Sequence, residues 1–295
     1  MLGPGPAMAH GRGTAAGLIS VAFVVLVAAL TAGYGRGVHE LWHRRGLGGV
    51  LPYWRVMAFV AGLTVLVAAQ SDAVHGVAER SFAGHMGQHM ILLVLAGPLL
   101  AAGAAGLPLT LAVPRRLRRG LTRWRAGRVG RWLRRPAVLA LVAATAQAGV
   151  LWSWHLPGPY LLALADPVVH GAEHASLAAA AWLLWSLVLG ARQHRLSGPL
   201  AVLLLFATMM PASALAAVLT FAPAPLYPHG ALAPDGGDPL VDQQLAGLVM
   251  WIPMDVAVLA VGVVVFLGWL RQIERTTPSH RDLRPDDGFI AQAEG

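Results

Sequence analysis

The chain has 295 residues, 56% of them hydrophobic and only 12% charged, with a mean hydropathy of +0.60; its apolar runs reach the roughly 20 residues that a helix needs to cross a bilayer, which excludes a soluble globular protein. The absence of cysteine excludes disulfides, thiolate zinc sites, iron-sulfur ligation and thioether-linked haem, so any soft-metal chemistry rests on His and Met. The net charge of +8 follows the loops between apolar runs instead of a soluble face, and nucleic acid is not an expected partner.

Seven apolar runs follow in order: Ala15 to Gly33, Trp54 to Gln70, His85 to Leu107, Ala137 to Trp154, Val168 to Gly190, Gly198 to Phe221 and Leu245 to Leu270. The predicted fold is therefore all-α, a polytopic membrane bundle of seven transmembrane helices. Residues 1–14 form an extracytoplasmic segment, 15–270 the transmembrane domain and 271–295 a polar cytoplasmic tail. Every basic residue is Arg, and all but Arg12 and Arg80 fall in the first, third and fifth connections or the tail. The bias of positive charge towards cytoplasmic loops then places the N-terminus outside and the C-terminus in the cytoplasm. A cleaved signal peptide is the alternative for the first run, but its basic flank is stronger after the run (Arg36, Arg44, Arg45) than before it (Arg12). A retained helix is the better fit.

This topology sorts the histidines. His39 and His43 lie among arginines beside Trp42 and read as an interfacial anchor, while His194 and His280 read as solvated loop residues. On the opposite side, His85 and His89 in SFAGHMGQHM and His170 and His174 in VVHGAEHASL stand four residues apart near helix starts, and His155 in SWHLPGPY follows the end of another run. An i, i+4 pair shares one helix face and can chelate one ion or serve two neighbouring ions. Ser81 or Gly84 is expected to cap the third helix, and Asp166-Pro167 to cap the fifth. Glu173, between the paired histidines, partly offsets the positive helix terminus. Met86, Met90, Met250 and Met254 lie at comparable depth, as potential thioethers or as packing residues. Mixed His and Met ligation points to copper before zinc.

Asp255, ten residues into the seventh run, is expected either to serve the site or to bond Gln147, Thr208 or backbone freed by Pro253. Pro98 and Pro211 are expected to kink their spans. The connection from Arg115 to Arg135, with ten arginines, is expected to lie partly helical on the inner leaflet; Ala222 to Asp242 is expected to be irregular, with His229 solvated or an occasional capture ligand. No nucleophile-base-acid set and no phosphate-binding glycine loop is present, so an enzyme is not expected.

The stretches HMGQHMILLVLAGPLLAAG, LWSWHLPGPYLLAL, VVHGAEHASLAAAAWLLWSL, LTFAPAPLYP and DQQLAGLVMWIP, in this order, resemble the CtaG family of multi-spanning cytochrome c oxidase assembly proteins, from about Tyr34 to Leu270. The resemblance implies an assembly factor of the bacterial plasma membrane that binds copper and helps its delivery or insertion, with oxidase subunits and an extracytoplasmic copper donor as partners. His85, His89, His155, His170 and His174 match the histidines of its motifs, and Gln88, Trp154, Pro157, Tyr160, Asp242, Gln243 and Gln244 match further positions. Two other readings stay open from the residues: a bis-His haem protein in electron transfer, and a copper or proton transporter.

Overall fold

The structure, a computed structural model, describes residues 6–191, 195–232 and 237–276; the side chains of residues 6–16, His229 and Thr276 are outside the description. His194, His280 and the polar tail beyond Thr276 also lie outside it. Every regular element among the described residues is helical. In chain order these are α1 (Pro6–Arg45), α2 (Tyr53–Ala69), α3 (Asp72–Ala78), α4 (Phe82–Ala102), α5 (Gly106–Ala112), α6 (Arg115–Ala126), α7 (Arg128–Leu133), α8 (Pro136–Trp154), α9 (Pro157–Ala165), α10 (Pro167–Leu189), α11 (Gly198–Phe221), α12 (His229–Leu232) and α13 (Pro239–Thr276).

Among the described residues, six helices are long and apolar enough to span a membrane, and the pair α2 and α3, bent by 54° at Gln70 and Ser71, is the candidate for a seventh span. Several boundaries differ from the hydropathy reading. Helix α1 runs through Gly33 to Arg45, because the polar residues after the apolar run still suit a helix once its near side packs on α5 and α10. Gly37 permits that packing, since a Cβ there would lie 2.1 Å from the Pro108 carbonyl oxygen. Helix α4 starts at Phe82 and stops at Ala102, before Leu107, where the chain turns through Ala104 at φ 50°. Helix α13 begins at Pro239, ahead of Leu245, and continues to Thr276.

Local chemistry explains the helix ends. The Ser81 hydroxyl accepts from Gly84 N at 2.9 Å, and the Asp242 carboxylate of α13 accepts from Phe82 N at 2.7 Å and Ala83 N at 3.1 Å. Asp166 caps α10 through Val168 N at 2.7 Å, with Pro167 at the first helical position. Arg55 at the start of α2 donates to the Ala102 carbonyl at 2.9 Å and the Gly190 carbonyl at 3.3 Å, satisfying the last turns of α4 and α10 together.

Pro98 follows a defined defect in its helix. Residues Ile91–Ala96 form a π-helical turn within α4, and Trp185 of α10 donates to the Leu93 carbonyl at 3.0 Å. Pro211 lies inside α11 without ending it.

Two apolar clusters hold the bundle. One joins α4, α8, α10, α11 and α13 around Phe82, Trp185 and Leu215; the other packs α1, α2, α4 and α5 around Tyr34, Phe59 and Leu92. Tyr34 stacks on Phe59 at 3.7 Å and donates to the Gly103 carbonyl at 2.9 Å. Helix α6 buries none of its residues and carries Leu117 and Trp124 exposed among its arginines, in keeping with the helical reading of that connection.

Candidate metal centre

The sequence puts two His pairs on helices, and packing makes them meet. Helices α4 and α10 lie side by side with both N-termini at one end of the bundle, so each pair presents one face to the other. Within pairs, His85 and His89 have ring centroids 4.5 Å apart, and His170 and His174 4.3 Å apart. Across the helices, His85 lies 5.5 Å from His170 and His89 5.4 Å from His174. The four rings thus form two layers, an upper one of His85 and His170 and a lower one of His89 and His174.

Glu173 stands between the layers, and the sequence reading treated it only as a charge near a helix end. Its side chain is fully buried, its Oε2 is 3.7 Å from His85 Nε2, and its Oε1 is 3.5 Å from His89 Nε2. One ligand atom each from His85, His170 and Glu173 lie within 4.8 Å of one another, and so do those of His89, Glu173 and His174. Both Glu173 oxygens, His85 Nε2 and both ring nitrogens of His89 are buried without a hydrogen-bond partner among the described residues. Such groups are normally satisfied, and an unpaired buried carboxylate costs several kcal/mol. The separations are long for hydrogen bonds yet suit ligands sharing an ion, because atoms each about 2.0–2.2 Å from a tetrahedral metal stand roughly 3–4 Å apart.

The remaining nitrogens are oriented from outside the cluster. His174 Nδ1 meets Gln70 at the C-terminus of α2, 3.1 Å from Oε1, and its Nε2 is 3.0 Å from His170 Nε2. Gln70 Nε2 also lies 2.9 Å from His174 Nδ1, so the amide can pair with that nitrogen as donor or as acceptor; in the second case the Nε2 lone pair of His174 faces the cluster, as it does in many metal-ligating histidines with a second partner. Gln88 donates to the Ala69 carbonyl at 2.7 Å and ties α4 to the same helix end.

His155 reaches the edge of the cluster but joins neither group with Glu173. It donates Nδ1–H to the Leu151 carbonyl at 2.6 Å, which leaves the Nε2 lone pair directed at Met86 Sδ, 3.0 Å away, and its ring is 6.1 Å from His89. Of the four methionines, Met86 alone contacts a site histidine in this way, while Met90, Met250 and Met254 are packed in the apolar core. At the opposite edge, His75 of α3 stacks on His170 at 5.2 Å, lies 3.3 Å from Glu79 and is partly exposed. It links the buried rings to the surface.

An aromatic roof closes this end. Phe82, Tyr160 and Tyr227 have ring centroids 5.0 Å apart in each pairing, and Tyr160 meets the edge of His85 at 5.6 Å. Tyr227 donates to the His155 carbonyl at 2.6 Å and Tyr160 to the Ala231 carbonyl at 3.1 Å. Burial raises the pKa of both phenols, so both stay neutral donors. Gln243 accepts from Leu226 N at 2.7 Å and donates to the Leu219 carbonyl at 3.2 Å, holding the connection that carries Tyr227. That connection is irregular over residues 222–228, as expected, but it is anchored, and it gives way to α12.

Asp255 does not belong to the cluster. Its carboxylate accepts from Ser213 Oγ at 2.9 Å and Trp251 Nε1 at 2.9 Å, neither of which the sequence reading had named, in place of Gln147, Thr208 or backbone.

The motifs that build the two layers and their roof fall within one matched region. The family described as cytochrome c oxidase caa3 assembly factor (Caa3_CtaG) matches residues 32–272, most of the chain. The chain belongs to that family. No curated protein and no solved structure matches it. Within this Caa3_CtaG chain, the roles of Glu173 and Gln70 at the cluster are not read from sequence, and His75, a histidine of the same side that lies outside the family motifs, joins the rim. An acid inside an apolar span was the available signal for Glu173, since ionisable residues there are costly and usually functional. Gln70 has no local signal, and His75 has only its position on the same side as the paired histidines, because the bend between α2 and α3 is what carries both to α10.

Proposed function

We propose that this Caa3_CtaG protein holds copper as cargo during cytochrome c oxidase assembly, binding it with His85, His89, His170, His174 and Glu173 at the extracytoplasmic end of the bundle. The observation that carries this reading is the convergence of four histidines and one carboxylate, several of them with buried polar atoms that lack partners. Imidazole and carboxylate donors suit Cu(II) or Zn(II), and the thioether of Met86 facing the His155 lone pair at 3.0 Å adds a soft donor that favours copper, including Cu(I). His155 and Met86 then form a flanking soft-donor pair beside the main cluster.

The chain's own residues supply the handling. Gln70 orients the His174 ring and the Leu151 carbonyl fixes the His155 tautomer, the Phe82-Tyr160-Tyr227 roof restricts water, and His75 with Glu79 offers partly exposed donors at the rim where copper passes from a donor protein or to an oxidase subunit. The role is non-enzymatic. A haem between the His pairs is disfavoured because facing rings stand only 5.4–5.5 Å apart in packed helices, leaving no slot for a macrocycle. The transporter reading loses its main polar step at Asp255, which is engaged by Ser213 and Trp251.

Purified protein is expected to retain copper, and the double variant His85→Ala, His89→Ala to lose it. Elemental analysis with an absorption spectrum tests this directly. Unchanged copper in the double variant would sink the assignment, and a Soret band would replace it with the haem reading.

A further inference from the structure

The two ligand groups share one residue, and that residue offers a different oxygen to each. Oε2 of Glu173 faces His85 and Oε1 faces His89, at 3.7 and 3.5 Å. Helices α4 and α10 run in parallel from the same end, so residues 85 and 170 form one layer and 89 and 174 the next, with four-residue steps of about 6 Å along each axis. A single ion between the layers would leave part of this donor set unsatisfied. Two ions would use it fully.

We infer that Glu173 is a bridging ligand between two metal ions, one held with His85 and His170 and the other with His89 and His174. The inference rests on the copper reading of the same histidines and adds nuclearity and the bridge. A carboxylate bridge places one anionic oxygen on each ion and offsets the repulsion between neighbouring cations, which stand about 3.5–4 Å apart in two-metal sites. It also accounts for a fully buried acid that has no Arg or Lys partner among the described residues. Four neutral imidazoles could each ligate without a negative charge among them. The one acid of the cluster therefore sits where both ions can use it.

The test is a titration of full-length, chelator-stripped protein with Cu(II) sulfate, with copper per chain measured after removal of unbound metal. Two ions per chain are expected for the wild type, with a copper-copper vector in X-ray absorption. Glu173→Gln is expected to hold one ion or fewer, and its metal-free form to melt at or above the wild-type temperature, because the substitution removes an unpaired buried charge. One ion in the wild type, or two retained at unchanged affinity in Glu173→Gln, overturns the bridge and leaves the copper reading standing. No bound copper in the wild type overturns both. If the variant fails to fold, the wild type still tests the bridge, since one ion per chain, or two without a copper-copper vector, overturns it.

Discussion

At the scale of single residues, the cluster depends on side chains that offer it no ligand atom. Tyr227 is the clearest case. Its hydroxyl donates to the buried carbonyl of His155, at the end of α8, and the same ring packs on Phe82 and Tyr160. Tyr227→Phe keeps the ring and removes the donor, leaving a buried carbonyl unpaired at a cost of about 1–3 kcal/mol. The expected result is a lower melting temperature of the metal-free protein, measured in detergent, with copper capacity retained through the Glu173 groups. An unchanged melting temperature would show that water or a backbone shift replaces the bond. Glu173 illustrates what a sequence conceals at this scale. The spacing of His85, His89, His170 and His174 was legible because helical periodicity alone puts each pair on one face. Which of the other polar residues point at them depends on how α4 and α10 face each other, and one-dimensional spacing does not contain that rotation.

At the scale of elements, Arg55 shows a residue whose meaning changes on folding. In the sequence it counts as one positive charge in the first connection. In the structure its guanidinium donates to the carbonyls of Ala102 and Gly190 and so joins the last turns of α4 and α10, the two helices that carry the paired histidines. Hydrogen bonds from a charged donor contribute about 1.5–3 kcal/mol. Arg55→Met, which preserves much of the stem, is expected to lower the melting temperature and to weaken copper affinity several-fold by loosening the register of α4 against α10. Equilibrium competition with a chelator of known affinity measures the second effect, and an affinity equal to wild type would confine Arg55 to stability alone. The run lengths were legible because hydrophobicity is summed over many residues. The helix limits at Phe82 and Ala102 were not, because the groups that satisfy them, Asp242 on Phe82 and Ala83 and Arg55 on Ala102, join residues far apart in sequence.

At the scale of the whole molecule, the histidine cluster and the arginine-rich helices occupy opposite ends of the bundle. Helices α4 and α10 begin at the cluster and end near Arg55, while α6 and α7 precede α8, which rises to His155. The seven-span fold and the family follow from patterns spread along most of the chain, so they survive errors at individual boundaries. Orientation has a different physical origin, since it is set by the charge of connections during insertion and not by contacts within the folded bundle. On the expectation from the arginine distribution the His end faces outward, and in the proposed function a copper donor on that side would meet His75 at the partly exposed rim. The absence of cysteine makes this testable without background. Gly158→Cys in α9 and Gly120→Cys in α6 have open space for a side chain and lie at the two ends. In intact cells, a membrane-impermeant maleimide is expected to label the Gly158→Cys protein and spare the Gly120→Cys protein until the membrane is opened. The reverse pattern would turn the bundle over and put the His cluster on the cytoplasmic side. It would require copper to come from a cytoplasmic donor, while leaving the geometry of the two layers and the Glu173 bridge unchanged.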